Sequence, residues 1–180
     1  MINCVVGKPG TGKTYFLLKK AVKALRSGRD VYSNFWIDFD KLRKLRLLGK
    51  KSGGLFYWHD IADLINIKQG LILMDECQIW FNSRKWQTLD ERAQYKLQQH
   101  RKHGLDILGA SQNLKRIDSV MRELINEVYE VKRLGRFFLV KTFEVEDIDK
   151  AKRKSYGYRA YFLNKKLANC FDTFQEIKKI

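Results

Sequence analysis

Residues 7–14 read Gly7-Lys8-Pro9-Gly10-Thr11-Gly12-Lys13-Thr14 (GKPGTGKT), and this stretch decides the fold. It matches G-x-x-x-x-G-K-[ST] at every fixed position. A short apolar run, Ile2 to Val6, precedes it and reads as a strand. After it, Phe16, Leu17, Ala21, Ala24 and Leu25 recur at spacings of three and four, a helical pattern that stops at Ser27-Gly28. Strand, glycine loop and helix together make a phosphate cradle. The glycines let successive backbone N–H groups curl around a β-phosphate, and the helix N-terminus adds its positive end. Gly7, Pro9, Gly10, Thr11, Gly12, Lys13, Thr14 and Tyr15 are therefore the expected contacts to ATP, with Lys13 bridging the β- and γ-phosphates and Thr14 holding Mg²⁺.

A second stretch, residues 71–78, reads LILMDECQ. Four consecutive apolar residues ask for burial on both faces of a sheet, yet the run ends in two carboxylates. Alone, Asp75 and Glu76 would pass for a solvated turn. Beside a phosphate loop they acquire roles: an Asp at the end of an apolar strand holds hydrated Mg²⁺, and a following Glu polarises the attacking water. Asp75 is the expected metal residue and Glu76 the expected catalytic one.

The rest of the chain supports a parallel sheet covered on both faces. Residues 30–35 read as a strand, 38–51 as a basic helix with leucines at 42, 45 and 48, 60–65 as a short helix, 90–103 as a helix closed by Gly104, and 106–110 as a further strand. Ser52-Gly53-Gly54 reads as the most flexible point. From residue 2 to about 125 strands alternate with helices, the α/β pattern. Then the texture changes: 127–132, 136–143 and 158–163 look like strands separated by charged turns. The expectation is a single domain over 1–180, with a core at 1–125 and a β-rich C-terminal extension at 126–180.

Adjacent Asp and Glu select the branch of these folds in which an extra strand separates the two motif strands. Such folds put a polar sensor at the end of the inserted strand. DILGASQ supplies it at Gln112, with Ser111 as the weaker choice.

Composition narrows the partners. The 180 residues carry 36 Lys and Arg against 20 Asp and Glu, a net charge of +16 spread along the chain. That balance favours a polyanion, nucleic acid first and an anionic membrane surface second. Cys4, Cys77 and Cys170 are odd in number and lack C-x-x-C spacing, so they suggest neither a disulfide framework nor a zinc knuckle. His100 and His103 lie three apart, but no second Cys or His pair accompanies them. The N-terminus lacks the plan of a signal peptide, and no window approaches the roughly 18–20 apolar residues that span a bilayer. Trp36, Tyr57, Trp58, Trp80 and Trp86 lie near basic segments and could stack on single-stranded bases or simply fill the core.

GKPGTGKT, ILMDECQ and QQHRKHGLDILGASQN together resemble the Zot family, the assembly ATPases of filamentous phages, within the FtsK–HerA branch of DNA-pumping motors. The resemblance runs from residue 2 to about 115. Its most specific part is a helix ending in Arg101, then Gly104, the strand from Leu105 to Ala110, and Gln112. It implies a P-loop NTPase of three α/β/α layers with a mainly parallel sheet, RecA/FtsK-like, and it implies Mg-dependent ATP hydrolysis. It also implies a homo-oligomeric ring, DNA as cargo with single strands the expected form, phage-assembly or membrane protein partners, and a cytoplasmic location, in reach of the inner face of the membrane. An arginine finger from a neighbouring subunit is implied too; Arg122 in DSVMRELI is the first candidate, with Arg101 and Arg116 as rivals. Members of the family commonly continue into a membrane-spanning segment, which these residues lack.

Other readings make different demands. A small-molecule or nucleoside kinase also begins with strand, P-loop and helix, but carries an Arg-rich lid and lacks the Asp-Glu pair. An ATP-binding assembly scaffold needs no turnover. A helicase of the kind that DECQ evokes pairs two such domains in one chain, and 180 residues hold one.

Overall fold

One eight-stranded sheet organises the chain, in the order β3-β2-β4-β5-β1-β6-β7-β8. The computed structural model describes residues 1–82, 84, 88–144 and 155–172. Its strands are β1 (Ile2–Val6), β2 (Val31–Ser33), β3 (Leu55–Tyr57), β4 (Gly70–Met74), β5 (Leu105–Ser111), β6 (Ile125–Leu134), β7 (Phe137–Glu144) and β8 (Gly157–Phe162). The first six pair in parallel, and β6, β7 and β8 pair antiparallel. By pairing, β6 belongs to the parallel sheet through β1, so β7 and β8 form the antiparallel addition.

The apolar run at the start of LILMDECQ is β4, buried at all five positions. A strand alternates its faces, so Leu71 and Leu73 join one core while Ile72 and Met74 join the other. Helices α1 (Lys13–Arg26), α2 (Phe39–Lys44) and α6 (Lys165–Ala168) bury residues in the first core. A 3₁₀ turn (Ile61–Asn66), α3 (Gln78–Phe81), α4 (Glu91–Gln98) and α5 (Ser119–Glu123) bury theirs in the second. This is the expected three-layer arrangement.

Local chemistry sets the helix ends. Gly28 takes a φ of 79°, and the amides of Gly28 and Arg29 return to the Leu25 and Ala24 carbonyls, stopping α1 as its sequence suggests. The side chains of Asp38, Asp90, Asp118 and Asn164 accept backbone N–H bonds at the starts of α2, α4, α5 and α6.

Several expectations change in detail. The basic 38–51 segment is helical only over α2, and its leucines lean on the core. The 90–103 helix closes at Gln98, after which His100 is buried with Nδ1 2.8 Å from the Leu97 carbonyl. Ser52-Gly53-Gly54 is a packed entry into β3, a strand the sequence reading missed. A Cβ on Gly53 would sit 2.1 Å from the Arg29 carbonyl oxygen, and the Gly54 amide donates to Asp30 at 2.7 Å. The glycines permit close approach there. Trp58 and Trp80 pack on each other in the second core, with the Trp58 indole donating to the Leu73 carbonyl at 3.1 Å, and so cannot stack on bases. Trp36 and Tyr57 reach the surface, though the Tyr57 hydroxyl is clasped by the backbone of Ile37; Trp86 lies outside the described residues.

Candidate functional site

All parallel strands point their C-terminal ends the same way, so the residues after β1, β4 and β5 gather at one edge. β5 lies between β1 and β4, pairing Val6 with Ser111 on one side and Met74 with Gly109 on the other. Thus the glycine loop, the Asp75-Glu76 pair and Gln112 emerge side by side.

The loop has the backbone that its glycines allow. Gly10 and Gly12 take φ values of 75° and 91°, in the left-handed region where a Cβ is penalised. Gly12 also lies against β7, where a Cβ would stand 2.2 Å from the Phe138 ring. The Thr11 hydroxyl donates to the Lys8 carbonyl at 2.8 Å, and the buried Lys13 ammonium reaches the same carbonyl at 3.3 Å. Lys13 therefore points across the mouth of its own loop, where a phosphate oxygen could replace the carbonyl.

Thr14, in the first turn of α1, donates its hydroxyl to Asp75 Oδ2 at 2.6 Å. Burial pushes the Asp75 carboxyl above its ordinary range, against the Thr14 hydrogen bond, which pulls it down. A buried carboxylate beside a hydroxyl offers hard oxygen donors of the kind Mg²⁺ takes, with waters completing its octahedron. The residues fit the ion.

Asn34, just past β2, sequence reading missed. Its side chain makes two bonds to the Asp75 backbone: Nδ2 donates to the Asp75 carbonyl at 2.9 Å, and Oδ1 accepts from the Asp75 amide at 2.8 Å. The one available signal was a polar residue closing a short strand.

Glu76 adopts a φ of 50°, unusual for a residue with a side chain. Its surroundings hold it there. Its amide donates to Asp75 Oδ1 at 3.1 Å, the Cys77 amide donates to the Ala110 carbonyl at 2.8 Å, and Gln78 Nε2 donates to Glu76 Oε2. Gly109 leaves room for the turn, since a Cβ there would meet Cys77 Sγ at 3.0 Å. The Cys77 thiol is buried behind the site, and its hydrogen bond with Cys4 together with burial raises its pKa, so it stays a thiol.

Gln112 is half-buried and accepts from Arg116 at 3.5 Å. It also lines a cleft of about 620 Å³ with Gly7, Lys8, Thr11 and residues of β6. The other two arginines lie elsewhere. Arg122 lies in the last turn of α5 just before β6, whose first residue Ile125 pairs with Ile2 at the far end of β1; the Arg122 Nε is buried with no hydrogen-bond partner among the described residues. Arg101 is exposed and precedes β5, also at the far edge.

A phosphate loop on a parallel sheet, with the acidic strand separated from β1 by an inserted strand, defines a P-loop NTPase fold of the additional-strand type. A family model for Zonular occludens toxin (Zot) matches residues 1–167, and the chain belongs to that family. The Gene 1 protein of Escherichia phage If1 is 31% identical over 140 residues, covering 70% of this chain and 39% of that protein. The Gene 1 protein of Enterobacteria phage M13 is 30% identical over 157 residues, covering 75% and 43%. The chain thus spans about two-fifths of the length of these curated relatives. Among solved structures, the N-terminal domain of zonular occludens toxin from Neisseria meningitidis superposes with a TM-score of 0.60 at 19% identity, covering 95% of this chain and 98% of that one. The genome packaging NTPase B204 from Sulfolobus turreted icosahedral virus 2, solved with ATP-gammaS, gives 0.56 at 12% identity, covering 87% and 96%. At such identities these two structures bear on the fold alone.

Proposed function

We propose that this chain is the ATP-hydrolysing motor domain of a machine that moves viral DNA during virion assembly, extrusion or packaging. One observation carries the reading: Lys13, the Thr14–Asp75 pair, Glu76 and Gln112 converge at one sheet edge, with β5 between the two motif strands. The family and the phage Gene 1 relatives support the viral setting.

In the proposed mechanism the loop N–H groups between Gly7 and Tyr15, to which Pro9 contributes none, and the α1 N-terminus grip the β-phosphate. Lys13 leaves the Lys8 carbonyl and takes up charge between the β- and γ-phosphates. Thr14 and Asp75 would hold Mg²⁺, which would supply charge neutralisation at the phosphate oxygens. Glu76 orients the attacking water for in-line displacement at the γ-phosphate, and Gln112 senses that phosphate. A neighbour's arginine completes the site in a homo-oligomeric ring, with Arg122 the first candidate and Arg101 and Arg116 its rivals. DNA, in single-stranded form, is the proposed cargo, and phage assembly proteins at the inner face of the host membrane are proposed partners. No helix among the described residues is long and apolar enough to cross a membrane, and the proposed location is the cytoplasm.

The deciding experiment measures phosphate release with single-stranded DNA, duplex DNA and no DNA. Wild type is expected to turn over ATP faster with DNA, and Lys13→Ala and Glu76→Gln to lose at least about a hundredfold. Full turnover by Glu76→Gln would sink the catalytic assignment. Transfer of phosphate to a small acceptor would mean a kinase, and nucleotide binding without turnover a scaffold.

A further inference from the structure

The antiparallel end of the sheet has one face that the described residues leave bare. Opposite residues in an antiparallel pair share a face, and the register places Leu134, Phe137 and Phe162 in one row and Leu139 and Ala160 in the next. Tyr158 pairs with Lys141 in the row beyond. The reverse face is packed: Val131, Phe138 and Val140 lie in the first core with α1. On the bare face Tyr158 is 70% exposed, Phe162 65%, Leu134 63%, Phe137 45% and Leu139 40%. A contiguous cluster of this kind is more than the scattered apolar residues of an ordinary surface.

We infer that this face of β6, β7 and β8 is a stacking platform for single-stranded nucleic acid. Three features select that occupant. First, the apolar residues include flat rings in two stations. Phe137 and Phe162 pack with ring centroids 3.9 Å apart. Tyr158 stands four residues along β8, about 13 Å away at strand spacing, and only Ala160 lies between them on that strand, leaving a shallow floor. Unpaired bases stack on aromatic rings of any sequence context, and exposed sheet faces serve that purpose well.

Second, cations are set among the rings. Lys132 lies opposite Leu139 and 3.9 Å from Glu130, the one carboxylate in these rows, and Lys141, opposite Glu130, has its ammonium 5.6 Å from the centre of the Tyr158 ring. Arg136 is exposed at the β6–β7 hairpin. Third, the whole chain carries +16. Like charge opposes a second copy of the chain on this face and favours a polyanion.

The platform runs directly into the nucleotide site. Lys132, Leu134 and Phe143 on this face also line the cleft that contains Gly7, Lys8, Thr11 and Gln112. A strand lying on the face therefore meets the glycine loop and the sensor through one continuous surface. The assignment rests on the DNA reading above and adds the place where the strand lies.

The test uses the full chain and a fluorescently labelled oligothymidine, read by anisotropy across a salt series. Phe162→Ser and Tyr158→Ser are each expected to weaken binding at least about fivefold, the lower range for loss of one stacked base. Thermal midpoint and binding of a fluorescent ATP analogue are expected to stay at wild-type values, because both side chains are solvent-facing. Lys141→Gln is expected to reduce the logarithmic salt slope by about 0.7. Unchanged oligothymidine binding by both aromatic variants overturns the platform while leaving the DNA reading in place. If the same variants also dissociate an oligomer in sedimentation, the face is an interface between copies. No oligothymidine binding by wild type at low salt overturns the platform and the DNA reading together.

Discussion

Replacing Asn34 by Ala tests whether Asp75 is placed by its own strand or by its neighbour. The side chain makes two bonds, at 2.8 and 2.9 Å, to the amide and carbonyl of Asp75. Asp75 is 7% exposed, so removing Asn34 leaves a backbone donor and a backbone acceptor in a mostly buried setting. Each orphaned group costs about 1–3 kcal/mol, and because Asn34 lies at the open edge of the sheet water recovers part of it, leaving about 2–3 kcal/mol for the pair. For a chain of this size that lowers the thermal midpoint by roughly 5–10 °C. Urea unfolding followed through the buried Trp58–Trp80 pair gives the free energy directly. The functional part of the prediction is separate: a looser Asp75 misplaces the Thr14 contact, so the Mg²⁺ concentration for half-maximal turnover rises and kcat falls, while affinity for ATP without Mg²⁺ is kept. Asn34→Asp keeps an acceptor for the Asp75 amide but loses the donor to its carbonyl and adds a negative charge, and is expected to be worse in turnover than in stability. A stability change under about 0.5 kcal/mol, the scale of an ordinary surface substitution, together with an unchanged Mg²⁺ response, would refute the role given to Asn34.

Two further perturbations probe the loop and the far edge of the sheet. Gly12→Ala combines a left-handed φ of 91° with a Cβ 2.2 Å from the Phe138 ring; it is expected to cost about 2–4 kcal/mol in urea unfolding, from backbone strain plus overpacking, and to weaken nucleotide binding in a fluorescent-analogue titration. Glu127 is pushed up by partial burial, but the Tyr129 and Tyr156 hydroxyls it accepts from, with Lys20 and Arg159 nearby, more than reverse this and hold its carboxyl below the usual range. A depressed folded-state pKa contributes stability above the unfolded value near 4.3 and loses it as pH falls through the folded value. Glu127→Gln is therefore expected to be less stable than wild type at pH 7 and to converge with it in acid, measured by thermal midpoints across pH; a constant gap down to the lowest pH would contradict this. The same contact helps burial push the Tyr156 hydroxyl up to about 12.

Legibility followed the range of the physics involved. The glycine loop, α1 and its Gly28 stop are local, and their residues announced them. So did β4, because burial on both faces needs an unbroken apolar run. Segment ends and short strands were harder. β3 is three residues long and gains its place by pairing with β2, with Gly54 bonded to Asp30. The tryptophans divided in a way no pattern shows: Trp58 and Trp80 face the core, while Trp36 is exposed. Phe137 and Leu139 alternate with the buried Phe138 and Val140, and only cross-strand register joins them to Leu134, Tyr158 and Phe162 as one surface.

The amino-acid sequence by itself determined the chemistry: which glycines could bend around a phosphate, which lysine and threonine followed them, and which carboxylates ended a buried strand. Those are properties of residues close together in the chain. The tertiary structure decided their company. It put β5 between β1 and β4, brought Thr14 within 2.6 Å of Asp75, fastened Asp75 to Asn34 just past β2, and left Arg122 and Arg101 at the far edge of the sheet. The physical reason is that strand order and register arise from packing two cores against a sheet, an energy summed over distant residues that no short stretch contains.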